Sequence, residues 1–182
     1  MNSVKPVKVL GLLTTVIAAI MVVAGVAVWI FTASQLSAQG ITVPSDASLA
    51  ANTKVNNPIS ALGQAGIIHH HQYTGALKSL EEAGITNPNS ADGKFTESDV
   101  TYAGLGTIAK IDGLTADQQQ VVKDARTTAN TAAGLISGLF TSVMAFGVAL
   151  LIFGLGITFG IVGIALRKLA GAHATTDVPQ RA

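Results

Sequence analysis

The chain of 182 residues contains no cysteine. Disulfides, thiolate metal sites, iron–sulfur clusters and a cysteine nucleophile are therefore all excluded. Charged residues are scarce at 12%, and the formal net charge is only +1. Because nucleic-acid-binding proteins carry a clear excess of basic residues, we expect no nucleic-acid partner. What is abundant is apolar: 49% of the residues are hydrophobic and the mean hydropathy is +0.50, which indicates a membrane protein.

Two long runs of the sequence contain no charged residue. Val9–Phe31 has 23 residues and Leu135–Leu166 has 32, whereas about 20 apolar residues suffice to cross the hydrocarbon core of a bilayer. The sequence therefore predicts two transmembrane helices with these bounds, surrounded by lipid. Because neither run holds an ionisable side chain, an ion pathway, a proton relay and a transporter are disfavoured.

The first run has a second interpretation, as a cleaved signal peptide. A signal peptide has an apolar region of about 7–15 residues followed by an A-x-A-like cleavage site. The run Val9–Phe31 is longer than this, and Phe31–Gly40 offers only poor small-residue sites. We therefore expect an uncleaved signal anchor in the plasma membrane, with Trp29 at the outer interface.

The distribution of charge around the two runs predicts their orientation. The segment between them carries a net charge of −3, whereas the two ends of the chain together carry +4. Since cationic flanks remain cytoplasmic, both termini are predicted in the cytoplasm and the middle segment outside. The predicted bounds are 1–8 for the cytoplasmic N-terminus, 9–31 for the first span, 32–134 for the extracytoplasmic domain, 135–166 for the second span and 167–182 for a disordered cytoplasmic tail.

The middle segment has the sequence signals of helices. Asn57-Pro58 is typical of a helix start, and Gly84 is typical of a helix end. Apolar or aromatic residues recur between them every three or four positions and predict one packed face. Its expected members are Ile59, Leu62, Ala65, His69, Tyr73, Ala76 and Leu80.

Two capping pairs predict further helices. Thr96 with Asp99 predicts a helix over Glu97–Ile108, and Thr115 with Gln118 predicts a helix from Ala116. This last helical pattern need not stop before the second span. The expected fold is an all-α membrane protein, in which an α-helical extracytoplasmic domain is inserted between two antiparallel transmembrane helices.

The most visible oddity is the run His69-His70-His71. Imidazole binds Zn, Cu, Fe or Ni, so the run invites a metal hypothesis with His69 and His71 as candidate ligands. On a helix, however, successive residues point about 100° apart, so three adjacent histidines do not converge on one ion. We expect His69 on the packed face, the other two histidines in solvent, and no metal or other cofactor.

A second metal hypothesis concerns Ser90–Asp99, which matches half of an EF-hand calcium loop. Asp92 and Asp99 fall at loop positions 5 and 12, but position 1, normally an aspartate, is Pro88. An Asp-Gly turn before a capped helix explains the same residues. We therefore expect no calcium site at Asp92 and Asp99.

Small residues repeat every seven positions in both predicted spans. Gly11, Ala18 and Gly25 form one such set, and seven residues are close to two helical turns. Small side chains let helices approach closely in lipid, so we expect one stripe to pack on the other. The expected pairs are Gly11 with Gly163, Ala18 with Gly156, and Gly25 with Ala149. A rival contact between two molecules through Gly156 and Gly160, a G-x-x-x-G pair, remains open.

Three segments carry a resemblance to a known family: PISALGQAGIIHHHQ at Pro58–Gln72, FTSVMAFGVALLIFG at Phe140–Gly154, and the opening run Ser3–Val26. They resemble a family of small actinobacterial membrane proteins of unknown function. The resemblance implies two spans that flank an extracytoplasmic domain. Members often carry the label aromatic ring-opening dioxygenase. A non-haem iron oxygenase requires two histidines and a carboxylate held on one face of the metal, and the sequence shows no such arrangement.

The sequence contains no nucleophile elbow, phosphate loop or dinucleotide fingerprint. The leading hypothesis is therefore a non-catalytic accessory or scaffold subunit that docks onto other membrane subunits of a larger cell-envelope complex, for example a respiratory one. The alternative is an extracytoplasmic sensor of a ligand or metal. An enzyme with the ring-opening activity of the family label comes third.

Overall fold

The computed structural model describes residues 4–175, and this part of the chain is all-α. Its helices are α1 (Val4–Ala38), α2 (Pro58–Glu82), α3 (Tyr102–Ile108) and α4 (Ala116–Thr175). They form two compact units. The apolar unit comprises the described residues up to Gln35 and from Met144 onward, and the middle unit is Leu36–Val143.

The helices α1 and α4 are both long and apolar enough to cross a membrane. Only 17% of the most hydrophobic window of each helix is buried within the protein. A core helix of a water-soluble protein is mostly buried, so these surfaces suit lipid better than water. The prediction is confirmed in that the structure has two helices able to span a membrane. That they do so stays a prediction.

The helix α4 begins where the capping pair predicts and continues without interruption. The Thr115 N–H donates to the Gln118 side chain at 3.0 Å, and the Gln118 N–H donates to the Thr115 hydroxyl at 3.2 Å. With 60 residues, the helix is about 90 Å long. It passes through Gly134 and Gly138 as helix and includes the first residues of the predicted tail, up to Thr175. The rest of that tail lies outside the described residues.

The predicted ends of α2 are confirmed. The Asn57 side chain accepts the N–H groups of Ile59 and Ser60, each at 3.0 Å, and the Ser60 hydroxyl accepts the Asn57 N–H. These bonds satisfy helix N–H groups that would otherwise have no partner. At the other end, Gly84 follows the helix with φ +66°, a left-handed conformation that glycine adopts without strain.

The core of the middle unit joins α2, α3 and α4. Leu80, Val100, Leu105 and Val122 are all 0% exposed, and alanines of α2 and α4 fill the remaining space between them. Gln118 of α4 also donates to the Ala83 carbonyl at 3.0 Å, which ties the start of α4 to the end of α2. Burial of these large side chains is the main favourable term in the folding of this unit.

The prediction of a helix over Glu97–Ile108 is wrong at its start. The Thr96 N–H does donate to the Asp99 carboxylate at 2.8 Å, but this contact closes a turn. The helix α3 begins only at Tyr102, because Thr101 is its N-cap and accepts the Gly104 N–H at 3.1 Å.

The predicted packed face of α2 is also wrong in its first half. Ile59 and Leu62 are 58% and 38% exposed, whereas the neighbouring Ser60, Ala61 and Gly63 are buried. The reason is a loop that packs its backbone on the helix. The Leu49 carbonyl lies so close to Gly63 that a Cβ on this residue would overlap it. Small residues therefore occupy the buried side.

The loop between α1 and α2 is tied to itself and to this helix. Thr42 and Lys54 form an antiparallel bridge, and the adjacent Val43 and Val55 are 0% and 1% exposed. Ala50 and Asn52 lie at positive φ, +57° and +61°. Two buried valines thus anchor a loop whose tip holds the exposed Leu49.

Candidate functional site

The six small residues predicted to form a helix contact are all buried in the apolar unit. A Cβ on Gly11 would lie 2.9 Å from the Gly163 carbonyl oxygen, and a Cβ on Gly163 would lie 2.9 Å from the Gly11 oxygen. Backbone therefore touches backbone at this position. Neither glycine has room for a side chain.

The other two expected pairs lie in contact as well. A Cβ on Gly156 would lie 3.0 Å from the Ala18 carbonyl oxygen, and one on Gly25 would lie 2.8 Å from the Ala149 oxygen. The structure thus brings each of these three residues of α1 close to a small residue of α4. The role of this contact inside a membrane stays a prediction.

Sequence reasoning missed several partners in the same contact. Gly160 also faces α1, since its Cβ would lie 3.7 Å from that of Ala18. Trp29 packs edge-on against the buried Phe146, with ring centroids 4.7 Å apart. The seven-residue repeat drew attention to the small residues. No repeat in the sequence links Trp29 to Phe146, because their contact depends on how α1 and α4 pair.

The histidine run lies on the outside of α2. His69 is exposed and packs edge-on against Tyr73, with ring centroids 4.1 Å apart, so its predicted place on the packed face is wrong. The buried polar residue nearby is Gln72, whose amide donates to the Val100 carbonyl at 3.0 Å.

His71 has a partner that the sequence did not predict. Its Nε2 lies 2.7 Å from Oδ2 of Asp46, 25 residues earlier in the α1–α2 loop. The hydrogen bond with His71 is the largest cause that holds the pKa of Asp46 below its ordinary value. Both side chains are more than half exposed, so the pair fixes the loop only weakly.

The carboxylates of Asp92 and Asp99 accept hydrogen bonds from residues of their own loop. Asp92 accepts the Ser90 hydroxyl at 2.5 Å and the Lys94 N–H at 3.0 Å, and the first of these bonds is the largest cause of its lowered pKa. Asp99 accepts both the N–H and the hydroxyl of Thr96, each at 2.8 Å. Over the described residues, no three potential His, Cys, Asp or Glu ligands gather in a metal-binding group.

A groove runs along the seam between α2 and α4 within the middle unit. Its volume is about 560 Å³, within the range of roughly 300–1,000 Å³ that is usual for ligand sites. Gly75, Ala76 and Ala125 make it possible, because their short side chains leave the seam unfilled. The polar residues His71, Ser79, Glu82, Asp124 and Thr128 are part of its lining.

Comparison with known proteins identifies no relative of this chain. The chain matches no family model, no curated protein and no solved structure. Its resemblance to the actinobacterial family therefore stays a prediction, and the function has to be inferred from the geometry.

Proposed function

We propose that the protein is a non-catalytic integral membrane subunit that docks onto a larger assembly of the cell envelope. In this proposal α1 and α4 cross the membrane as an antiparallel pair, both termini lie in the cytoplasm, and the middle unit lies outside. The contacts of Gly11 with Gly163 and of Gly25 with Ala149 support the antiparallel pairing. The charge difference between the ends and the middle of the chain supports the orientation.

One observation carries the docking proposal: the middle unit leaves large apolar side chains exposed side by side. Ile59 and Leu62 lie three residues apart on α2, so they share one face. The Leu49 backbone packs on the adjacent Gly63, and the Leu49 side chain is 43% exposed. A contiguous apolar surface that is open to water is typical of a protein interaction site. We name Leu49, Ile59 and Leu62 the apolar patch.

The test is to extract the full chain from native membranes in mild detergent and to run native gels with mass spectrometry. Wild type is expected to migrate in a complex with other subunits. Changing both Ile59 and Leu62 to Asp should release it, because burial of an unpaired carboxylate costs several kcal/mol, roughly 3 or more. Thr74→Asp, an exposed change elsewhere on α2, is the matched control. Migration of wild type as a lone monomer would refute docking.

The orientation has its own test. A reporter that is active only outside the cytoplasm should be active when fused after Leu114 and silent when fused after Ala182. The reverse pattern would contradict the charge rule for this chain.

The groove between α2 and α4 favours a second candidate function, an extracytoplasmic ligand sensor. Thermal-shift screening of the full chain in detergent, with a library of small metabolites, would detect such a ligand. Gly75→Leu fills the groove and should abolish the shift, whereas Gly66→Leu, outside its lining, should not. A zinc or calcium titration completes the test: tight binding lost in His71→Ala or Asp92→Ala would support a metal sensor.

A further inference from the structure

An arginine of the middle unit, Arg126 on α4, holds its charged group against an aromatic ring. Its Cζ lies 4.2 Å from the centroid of Tyr102, a distance at which a guanidinium is attracted to the ring. Gly106, one turn after Tyr102 on α3, leaves space for the same group: a Cβ there would lie 3.4 Å from Cζ and from one terminal nitrogen. Tyr102 and Gly106 thus define where the guanidinium sits.

The same arginine has no anionic partner within residues 4–175. The ion pairs of this region are His71–Asp46 and Lys78–Glu82. Nε of Arg126 is buried, and its N–H donates to no acceptor either. The acid nearest to it along the sequence of α4, Asp124, accepts a hydrogen bond from the Gln120 amide at 2.8 Å. A half-buried cation is therefore positioned without a counter-charge, in a segment whose net charge is −3.

We propose that Arg126 and Tyr102 form an anchor for an acidic side chain of a partner protein. This inference rests on the proposed function and names one chemical feature of the partner. A guanidinium binds a carboxylate through two parallel hydrogen bonds, and stacking on Tyr102 reduces the entropy that such binding costs. Tyr102 is 49% exposed, and an open surface of Arg and Tyr is typical of protein interfaces rather than of enclosed small-molecule sites.

The experiment first identifies the peptide of the partner protein that lies next to Arg126. A photoreactive phenylalanine derivative replaces the exposed Asn130, one turn after Arg126, and native membranes are irradiated. Mass spectrometry then maps the linked peptide and its acidic residues. If wild-type chain forms no complex at all, the proposed function has failed, and this inference fails with it before any variant is compared.

The decisive step is a charge reversal. Arg126→Glu should lower the yield of the complex by more than about tenfold, as expected for an interface anchor. Lys54→Glu, the same charge change elsewhere in the middle unit, should leave the yield unchanged. Changing the partner's acid to Arg should restore binding to Arg126→Glu, which also shows that this variant is folded. An unchanged yield with Arg126→Glu, an equal loss in both variants, or no rescue by any acid of the linked peptide would overturn the anchor while leaving docking intact.

Discussion

The apolar unit and the middle unit differ in the side chains that they bury. The middle unit buries many large side chains, among them Leu80, Leu105 and Val122, together with small ones. In the apolar unit the buried residues are mainly glycine and alanine, with Phe146 as the large exception, whereas Leu150 and Ile161 are 61% and 65% exposed. In water, folding removes large apolar side chains from solvent. In lipid that force is absent between helices, so close approach of small residues replaces it.

One helix contributes to both units. The first part of α4 buries Val122 together with alanines such as Ala129, whereas its later part buries Gly156 and Gly163 beside Phe146. Buried glycine thus occurs only in the later part of α4.

The largest effect is expected for truncation of a large side chain in the middle unit. Leu80→Ala removes a side chain that is 0% exposed and should destabilise the unit by about 2–5 kcal/mol. Leu150→Ala, in the apolar unit, should change little, because this side chain is 61% exposed. Thermal unfolding of the full chain in detergent, followed by hydrogen exchange of each unit, separates the two. Equal losses of stability in the two variants would contradict the proposed difference between the two units.

Two glycines of α2, Gly63 and Gly66, are expected to respond in opposite ways to substitution by alanine. Gly63→Ala places a Cβ against the Leu49 carbonyl and should cost about 1–3 kcal/mol, because backbone has to move. Gly66→Ala enters open space and should gain up to about 1 kcal/mol from higher helix propensity. The midpoint of thermal unfolding should therefore fall in the first variant and rise in the second. A rise in both would show that the loop does not pack on α2.

In the apolar unit, Gly156→Ala and Gly154→Ala form a matched pair two residues apart. A Cβ at Gly156 would lie 2.9 Å from the Val22 nitrogen, whereas Gly154 faces open space. We expect the Gly156 variant to weaken the helix contact by about 1–3 kcal/mol. Trp29 is the natural probe, because its emission should change when it separates from Phe146. Equal behaviour of the two variants would argue against this contact.

The smallest effect is expected for the exposed pair of Asp46 and His71. The pKa of Asp46 is lowered on folding, so its contribution to stability is present above its ordinary pKa of 3.8 and is lost as pH falls through the folded value. Asp46→Asn should reduce the midpoint of thermal unfolding slightly at pH 7. At pH values below the folded pKa it should match wild type. A difference that persists in acid would mean that the Asp46 charge is not the cause.

The features that the sequence predicted well are those set by neighbours along the chain. The caps at Asn57, Gly84 and Thr115 follow from local hydrogen bonding, and the two long apolar helices follow from the absence of charge. The repeat of small residues predicts a packed contact between α1 and α4, and its register inside a membrane stays a prediction.

The features that it did not predict depend on distant segments. Ile59 and Leu62 fit the helical period but lie outside, because the α1–α2 loop covers the other side of α2. His71 contacts Asp46, and Arg126 contacts Tyr102, only in the folded middle unit. Periodicity describes one helix at a time and contains no information on which face another segment will cover.

The most direct test of the two-span account is a disulfide between α1 and α4 in native membranes, since the chain has no cysteine of its own. The Cβ positions of Ala18 and Gly160 lie 3.7 Å apart, close to the mean of about 3.8 Å in natural disulfides. Ala18→Cys with Gly160→Cys should form an intramolecular bridge on mild oxidation, and Ala18→Cys with Gly154→Cys should not. If the first pair stays unlinked while Gly160→Cys alone links two molecules, the small-residue face belongs to a partner and the account is wrong.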